Sequence, residues 1–183
     1  MSRFTIHDDL SAPEGSLPVI KGALASAGQL PNLIGVLAGS PAALRGYARM
    51  RNELRHGVLD ARTKERISIA VAEHFHSQPE VKLHARAARA LGVGMDEVRA
   101  ARRFSSEDEK QDVLLRYLAH LLQKRSQPPA ALQEEALELG WTEEDLLEAI
   151  GFASIEVFSA LVNIAGDIPI DGSTEQSRQL RAA

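Results

Sequence analysis

Seven residues able to carry charge or protons lie close together around Pro79: Glu65, Glu73, His74, His76, Ser77, Glu80 and His84. Glu65, Ile69, Ala72 and His76 follow one another at helical offsets. The eleven residues from Glu65 to His76 are close to three turns, so a continuous helix would project both side chains from one face. Glu80 and His84 are four apart and share a face of the next helix. A chain reversal between Ser77 and Pro79 would bring the two faces onto one pocket. A carboxylate beside an imidazole suits proton transfer: the carboxylate fixes the tautomer and raises the imidazole pKa, and the ring moves protons near neutral pH.

The same residues also have plainer uses. A Glu–His pair at helical spacing makes an ordinary surface contact, and Glu65 followed by Arg66 suits a solvated charged face. His74 falls on an apolar stripe, the place of a hydrogen-bonded core histidine. A metal centre is not expected. His74 and His76 diverge by about 200° on an ideal helix, and the chain has no His-Glu-x-x-His motif. With no cysteine in the chain, disulfides, thiolate metal sites and cysteine nucleophiles are all excluded. Arg45, Arg49, Arg51, Arg55, Arg62, Lys64 and Arg66 form a basic stretch in a chain of net charge -4. That stretch suits salt bridging between helices and subunits, or steering of an anionic substrate.

The elements that must position these residues read as helices almost throughout, so the predicted class is all-α with roughly seven or eight helices. Two short helices are predicted over 18–29 and 31–38. A third opens at Ser40-Pro41 and ends at Gly57. Asp60 or Thr63 caps a long helix running to about Ser77, and Pro79 opens another that closes at Gly92 or Gly94. Ser106-x-x-Glu109 reads as a capping box for a helix through Leu122, followed by a short helix from Pro129 to Leu139. Thr142-x-x-Asp145 caps the last, which Gly166 and Pro169 stop. Phe152, Ile155, Val157, Phe158 and Leu161 make this helix apolar nearly all round, which suggests a subunit interface as well as a core.

The 183 residues suit one compact domain, predicted at 17–171 between an extended N-terminal arm (1–16) and a polar tail (172–183). Mild acidity and 4% aromatic residues argue against a nucleic-acid surface. No apolar run approaches the roughly 20 residues of a membrane span, and the N-terminal segment lacks the pattern of a secretory signal. A cytoplasmic location is expected.

The stretch LDARTKERISIAVAEHFHSQPEVKLHARAARALGVGMDEV resembles the core of the carboxymuconolactone decarboxylase and alkyl hydroperoxidase D-like superfamily. LPNLIGVLAGSPAALRGY resembles the helix pair preceding that core in the peroxidase-related branch. LGWTEEDLLEAIGFASIEVFSALVNIAGDIPID is similar to its C-terminal helices. In the peroxidase branch a glutamate is followed by Cys-x-x-Cys and then histidine. On this chain the glutamate and histidine fall on Glu65 and His84, and the cysteine positions on Ser77 and Glu80. Thiol peroxidase activity is therefore not expected.

The run from Gln78 to Ala88 is more like the decarboxylase branch, which lacks the cysteine pair. The resemblance implies a cofactor-free lyase of aromatic catabolism, assembled as a homo-oligomeric trimer or hexamer and acting on a small anionic lactone or related carboxylate. In that reading His84 donates the proton, Glu80 orients it, and Glu65 or His76 relays protons. Arg66 or Arg86 holds a carboxylate. The alternative is a peroxidase-related protein by family only, a scaffold that has lost its chemistry.

Overall fold

The computed structural model describes residues 2–169 and Asp171, so the predicted tail at 172–183 lies outside the described residues. Nine α-helices and no strands are present among them: α1 (Leu17–Ala27), α2 (Asn32–Leu37), α3 (Pro41–Arg55), α4 (Ala61–His74), α5 (Gln78–Ala90), α6 (Met95–Ala101), α7 (Glu109–Leu122), α8 (Ala130–Glu138) and α9 (Glu143–Gly166). The described residues group into two compact units, one of residues 2–53 with those from Leu161 onward and one of Leu54–Ala160.

In the first unit, Ile20 and Leu44 are fully buried, and buried Ser16 donates to the Ala38 carbonyl at 2.7 Å. The N-terminal segment is bound rather than loosely extended. The His7 amide donates to Gly35 O at 3.0 Å, and the Arg3 amide to Gly166 O at 2.6 Å. Gly35 permits this approach, since a Cβ there would lie 2.7 Å from Ile6 Cγ2 and 2.8 Å from His7 O.

The second unit is built around α4, which buries every residue from Ile67 to Ala72. Ile67, Ala70 and Val71 pack into a core with Val113, Leu114 and Leu118 of α7 and Ala149 and Ala153 of α9. Ile69, on another side of α4, joins Ala88, Val98 and Ala101. A helix apolar on more than one side must be central, and α4 is therefore the fixed element from which Glu65 projects.

Side-chain caps set the starts of α4, α7 and α9. The Asp60 carboxylate accepts from the Thr63 amide at 2.7 Å at the start of α4. Thr142 and Asp145 cap α9 reciprocally: each side chain accepts from the other's amide, at 3.1 and 2.9 Å. At α7 the expected Ser106–Glu109 box is replaced by Asp108, which accepts from Gln111 N at 3.2 Å, while Ser106 bonds to Glu97. The short helix α6, absent from the sequence reading, follows Gly94 and places that Glu97.

By length and composition α9 could cross a bilayer, with mean hydropathy 1.6 over its best window; this corrects the expectation that no stretch is apolar enough. It is instead a core helix that carries a buried carboxylate, Glu156.

Candidate active site

The predicted run of α4 to Ser77 does not occur. The helix ends at His74, and His76 adopts a left-handed conformation with φ 55°. The Ser77 amide donates to Ala72 O and the His76 amide to Glu73 O, both at 2.9 Å, which is the paired bonding of a Schellman turn. Three-turn periodicity therefore does not carry from Glu65 to His76, whose side chain is exposed. Half-buried Ser77 stands at the N-cap of α5, and Pro79 sits in that helix's first turn, where its missing amide costs nothing.

The turn folds α5 back on α4 and brings His84 to Glu65. His84 Nδ1 lies 2.9 Å from Glu65 Oε2, and His84 Nε2 lies 3.8 Å from Glu156 Oε2 of α9. The imidazole is thus flanked by carboxylates from two other helices. The side chains of His84, Glu65 and Glu156 keep 17%, 23% and 9% of their surface exposed, so the ring is sheltered but reachable. Burial by itself pushes the His84 pKa down. The hydrogen bond with Glu65 and the charges of Glu156, Glu65 and Glu80 outweigh it, and hold the ring above its ordinary value.

The sequence reading paired His84 with Glu80. In the structure the hydrogen bond to the ring comes from Glu65, and Glu80, half-buried one turn earlier on α5, acts on it through charge. Glu156 was passed over altogether. Its one signal in the sequence is a lone carboxylate in the apolar run FASIEVFSALVNIAG.

The two arginines are not brought to the ring. Arg66 Nε donates to Glu97 Oε2 at 2.9 Å. Arg86 is exposed and, two residues beyond His84, lies about 200° round α5. His74 packs edge-on against Phe75 and Phe104, with ring centroids 5.1 and 6.3 Å away. Burial, then the charges of His76 and Arg125, lower its pKa, as fits a neutral packing histidine. Among the described residues no group of three or more His, Asp or Glu is arranged to hold a metal ion. A separate groove of about 470 Å³, bounded by Glu109, Asp112, Arg116, Glu135 and Glu138, has Arg116 paired with both Asp112 and Glu135.

The described residues thus combine an all-helical fold with a Glu–His pair that bridges α4 and α5, in a chain without cysteine. Residues 41–123 match the model of the carboxymuconolactone decarboxylase family. The fold is that of the AhpD core. An uncharacterized peroxidase-related protein from Ralstonia eutropha JMP134 superposes with TM-score 0.77 at 17% identity, covering 93% of each chain. One from Silicibacter sp. TM1040 gives 0.75 at 18%, covering 93% of this chain and 91% of its own. The debrominase Bmp8, as a cysteine-to-alanine variant in complex with 2,3,4-tribromopyrrole, gives 0.71 at 18%, covering 98% and 97%. No curated protein matches the chain. The chain therefore has no cysteine, shares the AhpD-like fold of these structures, and carries over residues 41–123 a segment similar to the carboxymuconolactone decarboxylase family.

Proposed function

We propose that the protein is a cofactor-free acid–base lyase that decarboxylates a small lactone acid or related anionic carboxylate, with protonated His84 as the proton donor. The observation that supports this is the seating of the His84 imidazole between the carboxylates of Glu65 and Glu156. As the C–CO2 bond breaks, its electron pair passes into the unsaturated lactone as a dienolate. A proton from His84 then forms the new C–H bond, and solvent restores the imidazolium. Glu65 orients the ring and Glu80 adds to the field that keeps it charged. A substrate carboxylate lying among these glutamates would lose its repulsion as neutral CO2 departs. Ser77, the N-cap of α5, and exposed His76, in the turn before it, take no part in the transfer in this reading. Neither Arg66 nor Arg86 is needed to hold the substrate in this reading.

The exposed apolar side chains of Leu147, Phe158, Leu161 and Ile164 on α9 support assembly of the protein as a homo-oligomer, for which we propose a cytoplasmic location. The test of function is a decarboxylation assay with carboxymuconolactone on the native protein, His84→Ala, Glu65→Gln and Glu80→Ala. Turnover that collapses in His84→Ala and falls strongly in Glu65→Gln is expected. Turnover unchanged in both variants places the chemistry elsewhere. An inactive native protein favours the alternative of a peroxidase-related scaffold without chemistry.

A further inference from the structure

Glu156 has no account in the resemblance and none in the helical spacing around His84. It stands in the middle of α9, 8% exposed, between Ile155 and Val157 in an apolar stretch of the helix. A carboxylate in such surroundings is costly unless a cation or strong donors meet it. One group that meets it is the His84 ring, with Nε2 3.8 Å from Glu156 Oε2.

The two sides of the ring differ. At 2.9 Å, Nδ1 and Glu65 are within hydrogen-bond range, whereas 3.8 Å is an ion-pair separation too long for a hydrogen bond. In the protonated ring, Nδ1–H donates to Glu65 and Nε2–H faces Glu156 outside hydrogen-bond range. The charged groups bearing on the ring are Glu65 from α4, Glu80 from His84's own helix and Glu156 from α9. Of these, Glu65 lies against Nδ1 and Glu156 lies on the Nε2 side.

We propose that Glu156 is a positioning residue: its carboxylate closes the second side of the His84 ring, holds the imidazole with Nδ1 turned to Glu65, and leaves the Nε2 proton as the one transferred to substrate. The assignment rests on His84 being the proton donor. A glutamine at this position keeps the shape and loses the charge. An aspartate keeps the charge and draws it back.

The experiment is an NMR titration of the His84 ring in the full-length protein, in Glu156→Gln and in Glu156→Asp, with near-ultraviolet circular dichroism as a check of folding. It is run beside the pH–rate profile of each protein and the rate of His84→Ala. In Glu156→Gln the His84 midpoint is expected to fall by about one pH unit, as for loss of an opposite charge within about 4–6 Å. The alkaline limb of the rate profile should move with it, and Glu156→Asp should recover part of both shifts. An unmoved His84 midpoint in folded Glu156→Gln overturns the proposal, even if His84→Ala is inactive and the acid–base reading stands. A shifted midpoint with full activity in His84→Ala overturns the acid–base reading, and the transfer role of Glu156 with it.

Discussion

Glu65 and Arg66 are consecutive residues of α4, yet they enter networks of opposite design. Arg66 reaches Glu97, whose carboxylate also accepts from Ser106 Oγ at 2.8 and 3.0 Å and from the Glu107 amide at 2.5 Å. Burial pushes the Glu97 carboxyl up, but these donors more than offset it and hold the group below its usual range. Both of its oxygens are engaged, and the cluster ties α4, α6 and the loop before α7 together. Around His84 one imidazole meets the charges of three carboxylates, with Nδ1 2.9 Å from Glu65 Oε2 and Nε2 3.8 Å from Glu156 Oε2. A carboxylate whose two oxygens accept from several donors rigidifies its surroundings, whereas a ring nitrogen outside hydrogen-bond range of the neighbouring carboxylate keeps a proton that can leave.

The largest effect should come from the His84 cluster. His84→Ala is expected to lower turnover by about 10²–10⁴-fold, the range of a general acid, with little change in melting temperature. A kinetic assay paired with a thermal melt checks both parts. If His84→Ala destabilises strongly and leaves turnover alone, the two networks are alike and the contrast fails.

The Glu97 cluster should give the reverse pattern. Glu97→Ala leaves Arg66 without its carboxylate in a site where the two side chains are 11% and 14% exposed. The expected cost is about 2–3 kcal/mol. For a chain of this size that lowers the melting temperature by about 4–12 °C. The kcat/KM at the permissive temperature should stay within about twofold of the native value. A large loss of kcat with an unchanged melt would move Arg66 and Glu97 into the site.

The pH dependence separates the clusters more finely. The folded His84 pKa is raised, so its contribution to stability is complete below about pH 6.5, the unfolded value, and is lost as pH rises through the folded value. The folded Glu97 pKa is lowered, so its contribution is present above about pH 4.3 and is lost as pH falls through the folded value. Urea unfolding should therefore show the gap between native protein and His84→Gln narrowing as pH rises above 6.5. The gap to Glu97→Gln should narrow in acid. Parallel curves for either variant would remove that group from the linkage.

The features legible in the sequence were those carried by local chemistry. Asp60 and the Thr142–Asp145 pair were readable as caps because a cap needs only side chains and amides a few residues apart. Ser106 misled because its hydroxyl found a long-range partner, Glu97, on a helix the pattern did not reveal. The site divides the same way. Glu80 was paired with His84 because four-residue neighbours are visible along one helix, but the hydrogen-bonded carboxylate comes from α4, across a turn of unread geometry. Glu156 was hidden by its context, since an apolar helix reads as core whichever of its positions is charged.

His76 offers the smallest and cleanest test of that lesson. It occupies the left-handed position of the Schellman turn, where a side chain is strained and glycine is not. It is also exposed, past the end of α4 and off the face of Glu65. His76→Gly is therefore expected to leave turnover unchanged and to raise stability by about 0.5–1 kcal/mol, measured by urea unfolding. The gain has two opposing parts: relief of the positive-φ conformation in the folded state, and the greater backbone freedom of glycine in the unfolded state. Because the turn must form before α5 can carry His84 back to Glu65, a stabilised turn should preserve the site, not loosen it. A His76→Gly variant that folds more stably but turns over slowly would return His76 to the proton relay, and would show that a histidine outside the helix still serves the ring within it.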